Sequence, residues 1–392
     1  MSEVLLVIGV LVACFVGYNI GGATTGPAFG PAVGAGVISK AMAAALMSVF
    51  FALGAATIGR RVVDTLGREL VTDPGIFTLE ANVAVLFFIG GALFIGNRAG
   101  VPASTSMTAV GAIAGLGLAA GELNWVVLGQ IATWWIVSPI IAFWVSGIIG
   151  RYFYGEINRR VQLVQSDGPL VEIDRSGTIP RITAGPNTTR REFVGIMIVI
   201  GIGCIMAFSS GTSNIANAVA PLVGSGAIEM NPAIVIGSIA VAIGAFTIAR
   251  RTLETMGNDL TELPLTAAIV VATVSATIVV LLSAIGIPAS FVIIATMSIV
   301  GLGWGRATRT TTVRESVRGE ESPAVSVGAL AGDEEGEDIP DIGDEEPEEV
   351  PSATELFDPS TTARVVLMQN VVPMFSTIGA FLTFQFVPIF GL

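Results

Sequence analysis

The chain has 392 residues, of which 52% are hydrophobic and only 13% are charged, and its formal net charge is −12. This composition excludes an ordinary soluble globular domain, in which about a quarter of the residues are charged. The sequence contains no histidine, so the commonest proton shuttle and metal ligand is missing, which argues against a metalloenzyme. We therefore predict a membrane protein that is not an enzyme.

Apolar runs recur along the whole chain. Their lengths are close to the roughly 17 to 25 residues that a helix needs to cross about 30 Å of hydrocarbon. The runs are uniformly apolar rather than alternating, so they predict helices and not the strands of a membrane barrel. The predicted fold is all-α and polytopic, with about 10–12 transmembrane helices. Ten runs are found, at 3–18, 38–58, 81–96, 103–119, 124–149, 194–208, 232–249, 266–284, 289–304 and 364–389.

Motifs in the first part of the chain return in the same order in the second part. The segment GAATIGRRVVDTLGREL at 54–70 is echoed 190 residues later by GAFTIARRTLETMGNDL at 244–260. The segment GVPASTS from Gly100 is likewise echoed by GIPASFV from Gly286. Two homologous halves are therefore predicted. Because each half carries five spans, an odd number, the second half is expected to be inverted, a recurrent plan of secondary transporters.

Polar segments separate the predicted spans into larger units. The predicted organisation is a first transmembrane repeat at 1–150, a cytoplasmic connecting loop at 151–191, the main part of a second repeat at 192–304, an acidic disordered cytoplasmic loop at 305–362 and a final span of that repeat at 363–392.

The distribution of charge predicts the orientation. All but three of the 19 basic residues fall on one face of this layout. By the positive-inside rule that face is cytoplasmic. We therefore expect both long loops in the cytoplasm and both termini outside the cell. Eleven of the 31 acidic residues crowd into 333–349, a run typical of a flexible linker, the alternative being a regulatory or partner-binding loop. The acid excess with a single lysine suggests a salt-adapted, haloarchaeal host.

One duplicated segment is polar and rich in glycine. It is GYNIGGATTGPAFGPAVGAG at 17–36 and AFSSGTSNIANAVAPLVGSG at 207–226. Such a segment is too polar to face lipid, so its hydroxyls and amides must face protein or a water-filled cavity. We predict a broken helix or a re-entrant turn in each copy. The alternative is that the small residues merely allow helices to pack closely.

The motif that begins at Gly100 has the chemistry of a helix start, as does its second copy. A glycine and a proline are followed by Ala-Ser, and proline and serine are favoured at the first turn of a helix. Within a membrane, the free N–H groups and positive dipole end of a helix start form a site for an oxyanion. Two such starts facing each other could hold one tetrahedral anion without any arginine. The candidate anion-binding residues are Ser104, Thr105, Ser106, Pro288 and Ser290.

Taken together, these motifs resemble the inorganic phosphate transporter (PiT) family. The duplicated family signature is approximately Gly-x-Asn-Asp-x-Ala-Asn-Asp-x-Ala-Asn-Ala, and FSSGTSNIANAVAP is similar to its second copy. GVPASTS is similar to the Pro-x-Ser-x-Thr element that follows it. The resemblance covers both halves and the final span. It implies uptake of inorganic phosphate by alternating access, coupled to sodium or in some branches to protons, and frequent homodimers; a related branch carries sulfate.

The chain departs from that signature where the family has carboxylates. Ile20, Ala23 and Thr24 stand at these positions in the first copy, and Ser213 and Asn214 in the second. Sodium can be held by neutral oxygens, but more weakly than with a carboxylate, and a salty habitat would make weak binding sufficient. On the resemblance, the candidate cation-binding residues are Asn19, Thr24, Thr25, Ser209, Ser210, Thr212, Ser213, Asn214 and Asn217.

The sequence therefore predicts a secondary transporter of inorganic phosphate, with the anion at the helix starts and the cation at the polar segments. One alternative is a sulfate or other oxyanion permease. An alternative of another class is a non-transporting membrane sensor or partner protein, because the first polar motif is eroded and the cytoplasmic loop is long. The expected partners are phosphate, Na⁺ or H⁺, the lipid bilayer and a second copy of the chain. No cofactor beyond Na⁺ and no nucleic acid is expected.

Overall fold

The computed structural model describes residues 2–34, 37–98, 104–161, 171–174, 181–184, 190–248, 265–308 and 359–387. Nearly all of these residues are helical, which confirms the predicted all-α class. The chief exception is an antiparallel hairpin of β1 (Val171–Asp174) and β2 (Arg181–Ala184) in the predicted connecting loop. Most of the predicted acidic loop lies outside the described residues.

The helices of the first half follow the predicted apolar runs. They are α1 (Ser2–Gly34), α2 (Lys40–Ala56), α3 (Gly59–Asp64), α4 (Leu79–Arg98), α5 (Thr105–Ala120), α6 (Trp125–Ile148) and α7 (Tyr154–Val161). The side chains of Ser39, Ser104 and Asn124 accept hydrogen bonds from backbone N–H groups at the starts of α2, α5 and α6. These caps satisfy donors that a helix start leaves free.

The helices of the second half follow the runs in the same order. They are α8 (Arg190–Gly224), α9 (Met230–Thr247), α10 (Leu265–Ala284), α11 (Phe291–Ala307) and α12 (Pro359–Phe386). The second copy of the Arg-Arg segment, which follows α9, lies outside the described residues.

Length and composition identify fewer spans than the ten to twelve predicted. Six of the described helices are long and apolar enough to cross a membrane, and α2 with α3 makes a seventh if this pair, bent by 64°, is one span. The apolar helices α5 and α11 have only 16 and 17 residues. Both follow the Gly-x-Pro motif, so the short helices are those that begin at the predicted anion-binding starts. Large apolar side chains such as Ile136 and Trp144 on α6 are exposed, as in a protein surrounded by lipid.

Helix packing in the two halves follows one pattern. The sequence repeat pairs α1 with α8, α2 with α9, α4 with α10 and α5 with α11, and the internal prolines Pro139 and Pro373 pair α6 with α12. Accordingly, α1 packs on α9 while α2 packs on α8, and α5 packs on α12 while α6 packs on α11. This exchange of partners supports the predicted duplication; the inverted orientation stays a prediction.

Glycines allow two of these crossings to be unusually close. A methyl group at Gly211 would lie 2.0 Å from the carbonyl oxygen of Phe51, where α8 crosses α2. A methyl group at Gly21, 190 residues earlier, would lie 2.1 Å from the carbonyl oxygen of Val241, where α1 crosses α9. The small residues of the polar segments therefore do permit close helix packing, as the alternative interpretation proposed.

The predicted breaks within the two polar segments are wrong. Helix α1 continues to Gly34 and α8 continues to Gly224 without interruption. The threonine hydroxyls of α1 find hydrogen-bond acceptors within the helix. Thr24 and Thr25 donate to the carbonyl oxygens of Ile20 and Gly21, at 2.8 and 2.7 Å. Such bonds to the preceding turn let a hydroxyl stay buried in a continuous helix. The described breaks lie instead between α2 and α3 and before α11.

Candidate anion-binding site

A small cavity lies where α1, α5, α8 and α11 meet. Its volume is about 30 Å³, enough for about two water-sized groups at roughly 10–15 Å³ each. The cavity therefore suits a small ion and is far smaller than the roughly 300–1,000 Å³ of pockets that hold organic ligands. The lining residues are Ala23, Thr24, Pro27, Ala28, Ser104, Thr105, Met206, Ser210, Asn214, Ser290, Phe291 and Val292.

Members of both sets of residues predicted from the sequence line this one cavity. The helix starts were predicted to bind an anion and the polar segments to bind a cation. The polar lining residues are Ser104, Thr105 and Ser290 from the first set and Thr24, Ser210 and Asn214 from the second.

The start of α11 presents free hydrogen-bond donors to the cavity. Ser290 is the residue before the first turn, but its side chain caps no N–H group. Its hydroxyl is buried, with the residue 6% exposed, and has no hydrogen-bond partner among the described residues. Phe291 and Val292 also line the cavity, and the N–H groups of the first helical residues have no partner within the helix. Together with the positive end of the helix dipole, these donors favour a negative ligand.

The start of α5 contributes a second helix terminus. The Ser104 hydroxyl accepts a hydrogen bond from the N–H of Met107 at 3.3 Å and so serves as an ordinary helix cap. The Thr105 hydroxyl donates to Oδ1 of Asn214 at 2.6 Å. Two helix starts therefore border one cavity.

Asn214 is the centre of the polar network beside the cavity. Besides the bond from Thr105, its Oδ1 accepts a bond from Nδ2 of Asn217 at 3.2 Å, and the Ser106 hydroxyl oxygen lies 3.4 Å away. Its own Nδ2 donates to the Ser210 hydroxyl at 3.0 Å. Asn214 thus joins a helix of the second half to the start of α5 in the first half.

Two predicted site residues hold the chain before α11 instead of lining the cavity. The Ser106 hydroxyl donates to the carbonyl oxygen of Ala289 at 3.0 Å, and the Ser213 hydroxyl accepts from the N–H of Ala289 at 3.0 Å. The carbonyl oxygen of Pro288 accepts from Nε1 of Trp135 at 2.8 Å. Sequence analysis missed Trp135, although a tryptophan in an apolar run has an N–H that needs an acceptor when it is buried.

The remaining candidates on α1 lie outside the cavity lining. Asn19 is fully buried, and its Nδ2 donates to the carbonyl oxygen of Phe15 at 2.8 Å. The amide nitrogen of Asn97 on α4 lies 3.0 Å from the backbone oxygen of Asn19 and 3.1 Å from its Oδ1. Asn97 was also missed, since a lone asparagine at the end of an apolar run gives no sign of its partner. Thr25 is buried and bonded within α1.

The remaining candidates on α8 face other helices or the network. Ser209 donates to the carbonyl oxygen of Ala276 on α10 at 3.2 Å, and Thr212 lies 3.1 Å from the Ser283 hydroxyl on the same helix. Asn217 is fully buried, and its Oδ1 has no hydrogen-bond partner among the described residues.

The cavity is electrically neutral apart from its helix dipoles. No acidic or basic side chain is among its lining residues. The described parts of the chain contain no group of three or more His, Cys, Asp or Glu residues that could hold a metal ion. Chemically, the arrangement offers hydroxyl, amide and backbone donors to an anion and neutral oxygens to a weakly held cation.

Comparisons with known proteins show similarity to a transporter family and to proteins named as permeases. A profile described as the phosphate transporter family matches residues 20–320. The chain is 29% identical over 298 residues to "Sulfate permease CysP" of Bacillus subtilis, covering 76% of this chain and 77% of that protein. It is 23% identical over 366 residues to the protein named "Putative phosphate permease" of Pyrococcus furiosus, covering 78% and 89%.

A solved structure shares the fold. The structure described as a sodium-dependent phosphate transporter matches with a TM-score of 0.64 at 18% identity, covering 98% of this chain and 100% of that chain. At this identity the similarity concerns the fold alone.

Proposed function

This chain belongs to the phosphate transporter family, and we propose that it is a secondary transporter that carries inorganic phosphate across the cell membrane. The observation that carries the proposal is the cavity where the starts of α5 and α11 converge, with the unpartnered Ser290 hydroxyl beside it. A tetrahedral anion there would receive hydrogen bonds from this hydroxyl and from the first N–H groups of α11. Because no arginine or lysine lines the cavity, binding would be weak enough to allow release on the other side.

Sodium is the proposed coupling ion. The cavity residues include no titratable side chain, so a coupled proton would have to travel on the anion itself. Asn19 supports a cation site in α1, because its backbone oxygen and its Oδ1 both face the electropositive amide nitrogen of Asn97. A cation could take the place of that amide group, held by neutral oxygens.

Alternating access between inverted repeats is the proposed mechanism. It is supported by the exchanged helix partners of the two halves, since two similar halves can give inward-facing and outward-facing states of similar energy. We place the long loops in the cytoplasm and both termini outside, and we expect a homodimer, as the family resemblance implies.

Sulfate is the second candidate substrate. Phosphate carries at least one proton near neutral pH and benefits from a strong acceptor, whereas sulfate carries none. The cavity lining contains no carboxylate that could accept such a proton. One of the relatives is named as a sulfate permease. Both anions must therefore be tested side by side.

Uptake into proteoliposomes tests the proposal. Vesicles loaded with potassium salt are diluted into buffer with radiolabelled phosphate and either NaCl or KCl, with and without excess sulfate. We expect uptake that requires the sodium gradient and resists sulfate. Uptake that sulfate competes away moves the substrate to sulfate, and equal uptake in KCl removes sodium coupling. Anion binding without any uptake would favour a sensor instead of a transporter.

A further inference from the structure

The short segment before α11 is held by hydrogen bonds from three helices. Trp135 on α6 binds the carbonyl oxygen of Pro288, while Ser106 on α5 and Ser213 on α8 bind the backbone of Ala289. A proline has no N–H group and a fixed φ. The carbonyl oxygen is therefore the one backbone polar group through which Pro288 can be oriented.

This segment determines where the anion-binding donors lie. Ser290 and the first N–H of α11 follow Pro288 by two and three residues, so a rotation at Pro288 would displace them. Binding groups must be held within about 0.5 Å of the productive geometry by residues whose own positions are fixed. Trp135 is bulky and partly buried, and its indole N–H donates to the carbonyl oxygen of Pro288 at 2.8 Å.

The corresponding position of the other half also carries a buried polar side chain. If α6 and α12 are aligned on their internal prolines, Pro139 and Pro373, then Gln369 occupies the position equivalent to Trp135. Gln369 is also buried, with 1% exposure, and its side chain also carries an N–H donor. Both α6 and α12 thus carry a side chain with an N–H donor one turn before their internal proline.

We propose that Trp135 is a positioning residue that fixes the Pro288 carbonyl and thereby orients the donors of Ser290 and α11 toward the transported oxyanion. The inference rests on the proposed function, because it assigns Trp135 a role in anion affinity. It does not place Trp135 in contact with the anion.

The substitution Trp135→Phe tests this role, since it keeps an aromatic ring and removes the N–H. We expect KM for the anion to rise about threefold to tenfold, the effect of losing one hydrogen bond of ordinary strength. The maximal rate should stay within about twofold of the wild type. The neighbouring substitution Trp134→Phe is the matched control and should leave KM unchanged. An unchanged KM in Trp135→Phe, or a loss of maximal rate alone, would overturn the proposal.

A double-mutant cycle separates positioning from general stability. If Trp135 acts through Ser290, the combined change Trp135→Phe/Ser290→Ala should raise KM by less than the product of the single effects. Independent effects would contradict the assignment. Wild-type protein that takes up neither phosphate nor sulfate would instead refute the proposed function, so the two failures are distinguishable.

Discussion

The two halves of the molecule share helix packing but not polar chemistry. Glycines at positions 190 residues apart make the same close crossings in both halves. In contrast, Asn214 joins the polar network beside the cavity, whereas its counterpart Thr24 donates to the carbonyl oxygen of Ile20 in its own helix. The serines of the two helix starts differ likewise, because Ser104 caps α5 and Ser290 caps nothing. One small cavity between two similar halves thus receives different groups from each.

The largest effect is expected where the halves are most alike. Gly211→Ala and Gly21→Ala should each destabilise the protein by about 1–3 kcal/mol or more, because the new methyl group collides with a backbone oxygen of the crossing helix. Fluorescence-detected size-exclusion chromatography after heating measures the loss of folded protein. Gly30→Ala is the control, since nothing lies within 4 Å of a methyl group at that position. Sensitivity of only one of the two crossings would show that the halves do not share their packing.

The next effect concerns the polar centre that only the second half has. Asn214→Ala removes the hydrogen-bond acceptor of the Thr105 hydroxyl and of the Asn217 amide, both of which are buried. Leaving each buried group unsatisfied should cost about 1–3 kcal/mol of free energy. Anion uptake should fall by about 100-fold, whereas Thr24→Ala should change it by less than about threefold, because the Thr24 hydroxyl bonds within its own helix. Initial rates in proteoliposomes give the comparison. A greater loss from Thr24→Ala would mean that the first half holds the main binding groups.

A smaller effect separates the two helix starts. Ser290→Ala should raise KM for the anion about tenfold, as expected for a hydrogen bond to a charged group, without lowering the unfolding temperature. Ser104→Ala should cost about 1 kcal/mol of stability through loss of the cap, with a smaller change in KM.

A matched control is available for the Ser290 substitution. The hydroxyl of Ser146 on α6 is also buried without a hydrogen-bond partner in the described structure, but Ser146 does not line the cavity. Ser146→Ala should therefore leave KM unchanged. A KM that rises equally in Ser146→Ala and Ser290→Ala would remove Ser290 from the site.

The smallest effect on uptake is expected for residues that do not line the cavity. Asn217→Ala removes one of the donors to Asn214 and should lower uptake about threefold. Ser39→Ala removes an exposed cap at the start of α2, where the Ser39 hydroxyl accepts from Met42 at 3.2 Å. It should cost about 0.5–2 kcal/mol of stability and leave KM unchanged. Equal losses of uptake in both variants would reduce the network to a structural feature.

Much of the fold was predictable because apolar runs and turn residues act locally. Among the described residues, each apolar run is largely helical, and the two Gly-x-Pro motifs precede helices, since proline and serine favour helix starts wherever they occur. The predicted helix breaks at 17–36 and 207–226 failed for an equally local reason. A threonine or asparagine can return its hydrogen bond to the preceding turn, and the composition of a segment does not reveal that choice.

The candidate site was only partly predictable. Ser104, Thr105, Ser290, Thr24, Ser210 and Asn214 were predicted and line one cavity. Ser106 and Ser213 were predicted as ligands but bind the backbone of Ala289. Trp135 and Asn97 were not predicted at all, because their partners lie far away in the sequence.

By itself, the sequence determined the class of the protein, its duplicated plan and the residue types available for an anion. These follow from composition, repeat spacing and helix-start chemistry, each of which acts through neighbours in the chain. Only the tertiary structure decided which serine caps its helix and which remains free. Such choices depend on contacts between helices that are remote in sequence, where the serines of two identical Pro-Ala-Ser triplets have different surroundings.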